Sequence, residues 1–312
     1  MSGPTFGDGE ASDLLSTFES SVPQGIKTIH ANTYPAISPS RPEVSQAGRT
    51  VLITGASAGI GFGIARSYAQ ASVSRLILIG RRRDVLEAST AKLAAEFPET
   101  EFLPRVCDIA SLEETAAFWS GIHADGITVD VLVLNAAKFG SPEPIITYKI
   151  DSLWAECVTN VRSQLDFAQR FQAQEGFENK QKFLVYLASA VIHSRAMESA
   201  LPSYTLTKKA GQILIQTLAD AADPKKLQII SYHPGSILSE TARNAGMTED
   251  SIHFDDIKLP SDFGVWAASS EAGFLHGRFV YAAWDLDELR SGEMQKRIKS
   301  DPNFLSFRLV GI

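Results

Sequence analysis

A tyrosine and a lysine stand four residues apart in the stretch ALPSYTLTKKAGQILI, at Tyr204 and Lys208. On a helix, residues at this spacing lie on the same face. A free phenol has a pKa of about 10 and is a weak acid or base at neutral pH, but a nearby ammonium group stabilises the phenolate and lowers that pKa. The pair could therefore exchange a proton with a carbonyl or hydroxyl oxygen.

Two further polar residues could complete such a site. Ser189 follows the apolar run FLVYLA, and a hydroxyl at the carboxyl end of a central strand can polarise a substrate oxygen. Asn160 lies within a helical pattern, where asparagine has no propensity advantage and often acts through its side chain. Tyrosine and lysine meet this spacing by chance on many exposed helices. The pair therefore indicates a site only if the surrounding helices and strands bring all four residues together.

Apolar segments rich in β-branched residues alternate with longer helical patterns from residue 50 onwards. These segments are residues 50–54, 75–80, 102–106, 129–135, 182–188 and 227–232. Several are apolar throughout, as expected for strands covered by helices on both faces. The pattern predicts an α/β fold with a Rossmann-type, doubly wound parallel sheet in a single domain, and ligands should bind at the carboxyl ends of its strands.

A glycine-rich stretch, VLITGASAGIGFGIA, joins the first strand to a helical pattern. Glycines here allow a tight turn and a close approach of backbone to ligand, and a helix N-terminus attracts phosphate. The spacing from Thr54 is T-G-x-x-x-G-x-G, and no Gly-Lys-Ser/Thr follows, so a P-loop is excluded and a dinucleotide site is favoured. The candidate cofactor-binding residues of this turn are Gly55, Ser57, Gly59, Ile60 and Gly61.

This glycine spacing, together with the Y-x-x-x-K pair, resembles the short-chain dehydrogenase/reductase family over about residues 50 to 285. The resemblance implies exchange of a hydride between a nicotinamide dinucleotide and a ketone or secondary alcohol. It makes Asn160, Ser189, Tyr204 and Lys208 the catalytic residues, with Asn160 positioning a water that relays protons to Lys208. It also implies that Tyr204 and Lys208 contact the cofactor.

The resemblance implies further cofactor contacts after the later strands. Asp108 in VCDIA would meet the adenine amino group, with Ile109 as an apolar neighbour, although an aspartate here could equally serve a turn or a helix cap. In LNAAKFG, Asn135 and Ala136 match the family's N-N-A-G, whereas Ala137 replaces its glycine. The remaining contacts, in YHPGSILSETA, are Pro234, Gly235, Ile237 and Thr241.

Arg81 directly follows the second strand in LILIGRRRD, where NAD-preferring relatives usually have an acidic residue that binds the adenosine ribose. A guanidinium group can instead hold a 2′-phosphate through paired, charge-assisted hydrogen bonds. The sequence therefore favours NADP(H) over NAD(H). The alternative is that the three arginines only form the solvated start of a helix, an interpretation left open for Arg82 and Arg83.

Composition excludes several classes of function. The 312 residues carry a formal net charge of −7, which argues against a nucleic-acid partner. No apolar stretch reaches the roughly 20 residues that span a bilayer, and no signal segment opens the chain, so we expect a soluble, cytoplasmic protein. Cys107 and Cys157 lack ligand-spaced partners, so no metal site is expected, and we interpret His193, His233 and His253 as structural.

The chain divides into an N-terminal extension, residues 1–48, and a Rossmann domain, residues 49–312. The extension is expected to be a partly disordered tail or a packing arm. A substrate loop is expected at about 236–262. Apolar residues in the predicted loops 139–150, 190–203 and 236–262, among them Phe139, Ile145, Val191 and Ile192, indicate a bulky, apolar substrate.

The segments NTYPAISPSRPEVSQAGRTVLITG and GRFVYAAWDLDEL resemble fungal members of the family, many of which act in secondary metabolism. The family resemblance further implies a homodimer or homotetramer that pairs through the helices carrying Asn160 and Tyr204. A second hypothesis is a non-catalytic Rossmann protein that binds the dinucleotide as a regulatory signal. The presence of both Ser189 and Tyr204 argues against it, because a sensor needs neither.

Overall fold

A computed structural model describes residues 22–177, 180–244 and 247–307 of the chain, without the side chains of 195–197, 241 and 244. Its centre is a parallel sheet of seven strands in the order β3-β2-β1-β4-β5-β6-β7. The strands are β1 (Thr50–Thr54), β2 (Arg75–Gly80), β3 (Glu101–Val106), β4 (Val131–Leu134), β5 (Lys182–Leu187), β6 (Leu227–His233) and β7 (Phe279–Tyr281). The predicted doubly wound, single-domain α/β fold is confirmed.

Helices flank this sheet and connect its strands. They are α1 (Gly59–Gln70), α2 (Arg83–Glu96), α3 (Leu112–Ala124), α4 (Ile150–Cys157), α5 (Ser163–Gln172), α6 (Arg195–Ala200), α7 (Pro202–Ala221), α8 (Glu240–Asn244), α9 (Lys258–Ala267), α10 (Leu286–Leu289) and α11 (Gly292–Ser300). A π-helical turn, Val158–Arg162, joins α4 to α5. Helix α1 packs against α9, and α7 packs against the π-helical turn.

The central strands form the core. Every residue of β1, β4, β5 and β6 is buried, because helices cover both faces of these strands. Strand β3, at the edge of the sheet, is only partly buried, and the exposed fraction of Val106 at its end is 41%. The apolar runs that predict the strands therefore agree with where the sheet is covered.

The strand order reverses between β1 and β4, and the carboxyl ends of both strands meet there. The Thr54 hydroxyl, at the end of β1, accepts hydrogen bonds from the backbone N–H groups of Asn135 and Ala136, at 3.0 and 3.1 Å. In doubly wound sheets such a switch point opens a crevice beside the strand ends, where ligands bind. The fold thus places the glycine-rich turn and the end of β4 on one crevice.

Residues 22–48 pack on the same core as the sheet. Ile37 is fully buried, and the Tyr34 hydroxyl donates a hydrogen bond to the carbonyl of Trp284 at 2.9 Å. The guanidinium of Arg41 binds both carboxylate oxygens of Glu271, at 2.7 and 3.1 Å. This part of the predicted extension is ordered against the domain, and residues 1–21 lie outside the described residues.

The predicted substrate loop at about 236–262 is partly helical. It contains α8, and its last five residues, 258–262, belong to α9. The carboxylate of Asp262 is buried there and accepts hydrogen bonds from the hydroxyls of Thr33 and Ser67, both at 2.6 Å. The end of this segment therefore serves the packing of the domain.

Within the described residues, no helix is long and apolar enough to cross a membrane. The same part of the chain contains no cluster of histidine, cysteine and acidic side chains that could hold a metal ion. Both cysteines are free thiols, with Cys107 buried and Cys157 half-buried.

Candidate active site

The turn between β1 and α1 is held close to the end of β4. The side-chain amide of Asn135 donates to the carbonyls of Thr54 and Gly55, at 2.9 and 3.1 Å. A Cβ at Gly61 would overlap the Gly55 carbonyl and lie 2.5 Å from the Asn135 amide. Gly55 and Gly59 have φ values of +68° and +55°, which L side chains rarely adopt. Glycine is therefore required for the shape of this turn.

The N-terminus of α1 is open toward the crevice. The residue before the helix, Ala58, provides no side-chain cap for the first N–H groups. A Cβ at Gly59 would meet only the side chain of Ser239, at 3.9 Å. Unpaired N–H groups at a helix N-terminus attract phosphate. The turn thus fits the pyrophosphate of a dinucleotide, with Ile60 partly buried beneath it.

The adenosine end of the crevice is expected after β2. Arg81 is exposed there, and no ion pair joins it to any residue in the described part of the chain. Its two neighbours are paired: Arg82 lies 3.4 Å from Glu240, and Arg83 lies 3.3 Å from Glu87. Of the three guanidinium groups, that of Arg81 is the one left available for a ligand.

Three other predicted contacts of this region have structural partners. One carboxylate oxygen of Asp108 accepts the backbone N–H of Ala110 at 3.0 Å, as a turn residue does. Ile109 is buried. The backbone carbonyl of Ser57 accepts a hydrogen bond from the hydroxyl of Ser89 at 2.7 Å. These contacts hold the loop after β3 and the glycine-rich turn in place. The second carboxylate oxygen of Asp108 takes no part in the bond to Ala110.

An irregular segment follows β6. It begins with Pro234 and Gly235, and Gly235 has a φ of +92°. Ile237 follows, half-buried. The backbone N–H of Ser236 donates to the carboxylate of Asp255 at 2.8 Å, and this bond joins the start of the segment to a residue near its end. Thr241 lies in α8, and its side chain is outside the described part of the structure.

Ser189 and Tyr204 meet at the carboxyl end of β5. Ser189 lies two residues after β5, and the helix that carries Tyr204 is joined to the end of this strand by the bond from Lys208 to the Leu187 carbonyl. Tyr204 lies in the first turn of α7 and is only 6% exposed. Burial raises the pKa of its phenol, and the hydrogen bond from Ser189 acts in the opposite direction. The phenol therefore stays protonated at neutral pH, as a proton donor must.

Lys208 lies one turn further along α7, as the spacing predicts, but its ammonium group is engaged elsewhere. Its Nζ donates to the carbonyl of Leu187 at 2.7 Å and lies 4.6 Å from the ring centroid of Tyr186. Burial lowers the pKa of Lys208 to about 7. In this arrangement burial and Ser189 shift the pKa of Tyr204, and its lowering by Lys208 stays a prediction.

Asn160 connects the π-helical turn to two other elements. Its amide oxygen accepts the backbone N–H of Lys138 and its amide nitrogen donates to the Lys138 carbonyl, both at 2.8 Å. The same nitrogen donates to the hydroxyl of Thr207 at 2.9 Å. Thr207 precedes Lys208, so Asn160 ties the segment after β4 to the helix that carries Tyr204 and Lys208.

Comparison with known proteins agrees with this arrangement. The family model for short chain dehydrogenases matches residues 49–250. A short chain dehydrogenase/reductase of Claviceps purpurea (strain 20.1) is 32% identical over 298 residues, which cover 94% of this chain and 97% of the relative. The chain belongs to the short-chain dehydrogenase family. A second fungal member, the short chain dehydrogenase/reductase AacuD of Aspergillus aculeatus, is 30% identical over 95% of this chain and 100% of its own length.

Solved structures of short-chain dehydrogenases share the fold. The Pseudomonas aeruginosa RhlG/NADP active-site complex superposes with a TM-score of 0.68 at 19% identity, over 77% of this chain and 97% of that chain. A putative short chain dehydrogenase from Pseudomonas syringae gives a TM-score of 0.69 at 18% identity, over 78% and 98%. The family model and the two fungal relatives confirm the predicted family membership and the predicted resemblance to fungal members.

Sequence reasoning missed part of the surroundings of this short-chain dehydrogenase site. The Nδ1 of His233 accepts the backbone N–H of Ala190 at 3.2 Å, next to Ser189. The Tyr281 hydroxyl lies 2.6 Å from the Nε2 of His193. The sequence indicates both histidines only as structural residues, and the available signal was that His233 ends β6 and His193 follows β5. They pack the turn that follows Ser189.

Two loop residues expected near the substrate have a different place. Val191 and Ile192 follow Ser189 but are 7% and 2% exposed, within the apolar core of this family member. A short 3₁₀ turn, Ala190–His193, directs them inward. Phe139, by contrast, lies directly against the candidate catalytic tyrosine: its ring stacks on that of Tyr204, with centroids 4.0 Å apart.

Proposed function

We propose that this chain is an NADP(H)-dependent oxidoreductase that interconverts a ketone and a secondary alcohol. The observation that carries the proposal is that Ser189 follows β5 while the helix of Tyr204 and Lys208 is bonded to the end of the same strand, in the sheet that also holds the open glycine turn. A bound nicotinamide dinucleotide would supply or accept the hydride. Residues of the chain would supply the proton and hold the substrate oxygen.

Asn160, Ser189, Tyr204 and Lys208 each have a proposed role. The Tyr204 hydroxyl donates its proton to the carbonyl oxygen during reduction, and Ser189 donates a hydrogen bond to the same oxygen. Lys208, with a pKa of about 7, can gain or lose a proton near neutral pH and so return one to the site. Asn160 positions the water through which that proton passes, and its own amide is held by Lys138 and Thr207.

The preference for NADP(H) rests on Arg81. Its guanidinium is exposed at the end of β2 and is free of ion pairs within the described residues, so a 2′-phosphate could bind it with paired hydrogen bonds. A related fold, RhlG, is known as an NADP complex. Asp108 and Ile109 would border the adenine, and Pro234, Gly235, Ile237 and Thr241 would border the nicotinamide.

The test is a titration of the purified protein with NADPH and NADH, comparing the wild type with Arg81→Ala and Tyr204→Phe. We expect Arg81→Ala to weaken NADPH binding at least 10-fold, toward the affinity for NADH, because a charge-assisted pair is lost. Tyr204→Phe should bind NADPH like the wild type and lose turnover. Arg82→Ala is the matched control, since Arg82 already pairs with Glu240.

Each outcome discriminates between hypotheses. Equal affinity for both dinucleotides, unchanged in Arg81→Ala, would contradict the NADP(H) preference. Tight NADPH binding with no turnover of any ketone by the wild type would favour the non-catalytic, regulatory hypothesis. No binding of either dinucleotide would contradict both.

The substrate is proposed to be a bulky, mostly apolar ketone of the kind found in fungal secondary metabolism. Apolar side chains are exposed in the loop that begins at Phe139: Ile145 is 42% exposed and Ile146 is 92% exposed. Such side chains provide apolar surface beside the site, where a large hydrophobic substrate could be held.

A homodimer or homotetramer is proposed on a separate apolar surface. Ile150 and Trp154 on α4 are 71% and 62% exposed, and Leu206 and Ile213 on α7 are 47% and 48% exposed. At helical spacing each pair lies on one face, and exposed apolar faces of this kind commonly pair with another copy. Sedimentation equilibrium would measure the assembly, and a monomer at micromolar concentration would contradict it.

A further inference from the structure

Phe139 covers the candidate catalytic tyrosine. The rings of Phe139 and Tyr204 are nearly parallel, with an interplanar angle of 15° and a centroid separation of 4.0 Å. Tyr204 is 6% exposed, whereas Phe139 is 48% exposed. Phe139 is therefore the layer between one face of the Tyr204 ring and solvent. A ketone cannot reach the phenol from this side while the two rings are stacked.

The backbone on both sides of Phe139 is fixed. Lys138 is held by both hydrogen bonds of the Asn160 amide. Gly140 packs so closely that a Cβ there would overlap the hydroxyl of Ser203 and lie 2.5 Å from the carboxylate of Glu156. With both neighbours held, the Phe139 ring can leave Tyr204 by rotation of its side chain, without movement of the loop.

The loop is also tied down beyond Gly140. The Tyr148 hydroxyl donates to the carboxylate of Glu156 at 2.6 Å, and it accepts the backbone N–H of Ser141 at 3.3 Å. Glu156 is 1% exposed, so its bond with Tyr148 is partly shielded from solvent and strengthened, whereas the bond between Ser141 and Tyr148 is exposed. The site thus combines a rigid loop with one exposed aromatic side chain placed on the candidate catalytic residue.

We propose that Phe139 is the gate of the substrate subsite and its specificity-determining wall, and that the subsite takes a ketone that carries a flat aromatic ring. The proposal rests on the proposed function and extends it to the substrate class. The space against Tyr204 that now holds the Phe139 ring has the thickness of one flat ring. When Phe139 rotates outward, a flat substrate ring enters this space, brings its carbonyl to the Tyr204 hydroxyl, and stacks on the displaced Phe139.

Stacking provides the selectivity. An aromatic pair contributes more binding free energy than its buried area alone predicts, and the excess corresponds to about 2- to 10-fold in binding affinity. A ketone with a flat aromatic ring replaces the contact that is lost when Phe139 leaves Tyr204, whereas a puckered, saturated ring of the same size replaces less of it. We therefore expect the flat ketone to be favoured by a factor that depends on the aromatic ring at position 139.

The kinetic test uses 2-tetralone and 2-decalone, which share a carbon skeleton but differ in flatness. We expect wild-type kcat/KM to be higher for 2-tetralone, with the ratio falling about 2- to 10-fold in Phe139→Leu, which keeps apolar bulk but has no ring, and staying near the wild-type value in Phe139→Tyr. NADPH affinity should be unchanged in both variants. Ile29→Ala, a substitution of an exposed residue outside this loop, is the control and should keep the wild-type ratio.

A ratio unchanged in Phe139→Leu would overturn the proposed specificity. If the wild type binds NADPH but reduces neither ketone, the proposed reaction fails, and calorimetric binding of the two ketones to the NADPH complex then measures the same ratio without turnover. Absence of binding by 2-tetralone would overturn the substrate class.

The gate is tested separately from the reaction. Nitration of Tyr204 by tetranitromethane, followed by mass spectrometry of its peptide, should be several-fold faster in Phe139→Ala than in the wild type, relative to the other tyrosines. Equal rates in folded proteins with matching circular dichroism would show that Phe139 does not shield Tyr204.

Discussion

Burial decides the ionisation of Lys208. The residue is 3% exposed, its ammonium group donates to the Leu187 carbonyl, and the desolvation lowers its pKa to about 7. A lysine in an unfolded chain has a pKa of about 10.4. Between these two values the unfolded state binds more protons than the folded state, so stability should rise with pH. Below pH 7 Lys208 is protonated in both the folded and the unfolded state, and the free energy of unfolding is reduced by the full cost of the buried charge.

Replacing Lys208 with Met should remove this pH dependence. Relative to the variant, the free energy of unfolding of the wild type should rise by up to about 1.4 kcal/mol per pH unit between pH 7 and 10. Urea denaturation of both proteins at pH 6, 7, 8 and 9 measures the difference. A difference that is constant across this range would show that Lys208 keeps its charge in the fold.

At the scale of elements, the turn between β1 and α1 depends on contacts with the neighbouring β4 end. Gly61 lies in α1, where glycine is normally a cost to helix stability. It is required here because the Gly55 carbonyl and the Asn135 amide occupy the space of a side chain. The helix therefore gives up intrinsic stability to bring its N-terminus close to the crevice.

Gly61→Ala and Gly121→Ala form a matched pair of helical substitutions. We expect Gly61→Ala to lose about 1–3 kcal/mol of stability through overpacking, and to bind NADPH at least 10-fold more weakly because the turn must shift. Gly121 lies in α3 with nothing within 4 Å of an added Cβ, so Gly121→Ala should gain roughly 0.5–1 kcal/mol and keep its NADPH affinity. Thermal unfolding and NADPH titration measure both. Equal effects of the two substitutions would contradict the proposed role of the close contact.

At the scale of the whole molecule, the segment before β1 is part of the domain core. Ile37 and Val44 are 0% and 1% exposed, and Tyr34 bonds to Trp284 near the other end of the chain. Contacts between such distant parts of a chain make unfolding cooperative. This segment should therefore unfold together with the sheet.

Two isoleucines of this segment test that expectation. Ile37→Ala should destabilise the protein by about 2–4 kcal/mol, because it leaves a cavity in the core. Ile29→Ala, at a position that is 52% exposed, should change stability by less than about 0.5 kcal/mol. Urea denaturation followed by circular dichroism and by tryptophan fluorescence should give one coincident transition. A separate early transition in Ile37→Ala would show that the segment folds independently.

The sequence by itself determined the sheet and the order of the site residues. The six predicted strand segments end within two residues of the ends of β1 to β6, and a central strand such as β4 is apolar throughout because helices cover both of its faces. The spacing of Tyr204 and Lys208 depends only on helix geometry, and α7 contains both. Local periodicity depends only on residues that are close together in the sequence, so it can be interpreted before the fold is known.

Contacts between distant segments were decided only by the tertiary structure. The stacking of Phe139 on Tyr204, the bond from Lys208 to Leu187 and the turn at Asp108 each depend on how loops and strand ends pack. The same packing buries Lys208 and lowers its pKa, so that its charge could not be inferred from residue type. Desolvation and stacking arise from residues far apart in the chain, and no local pattern records them.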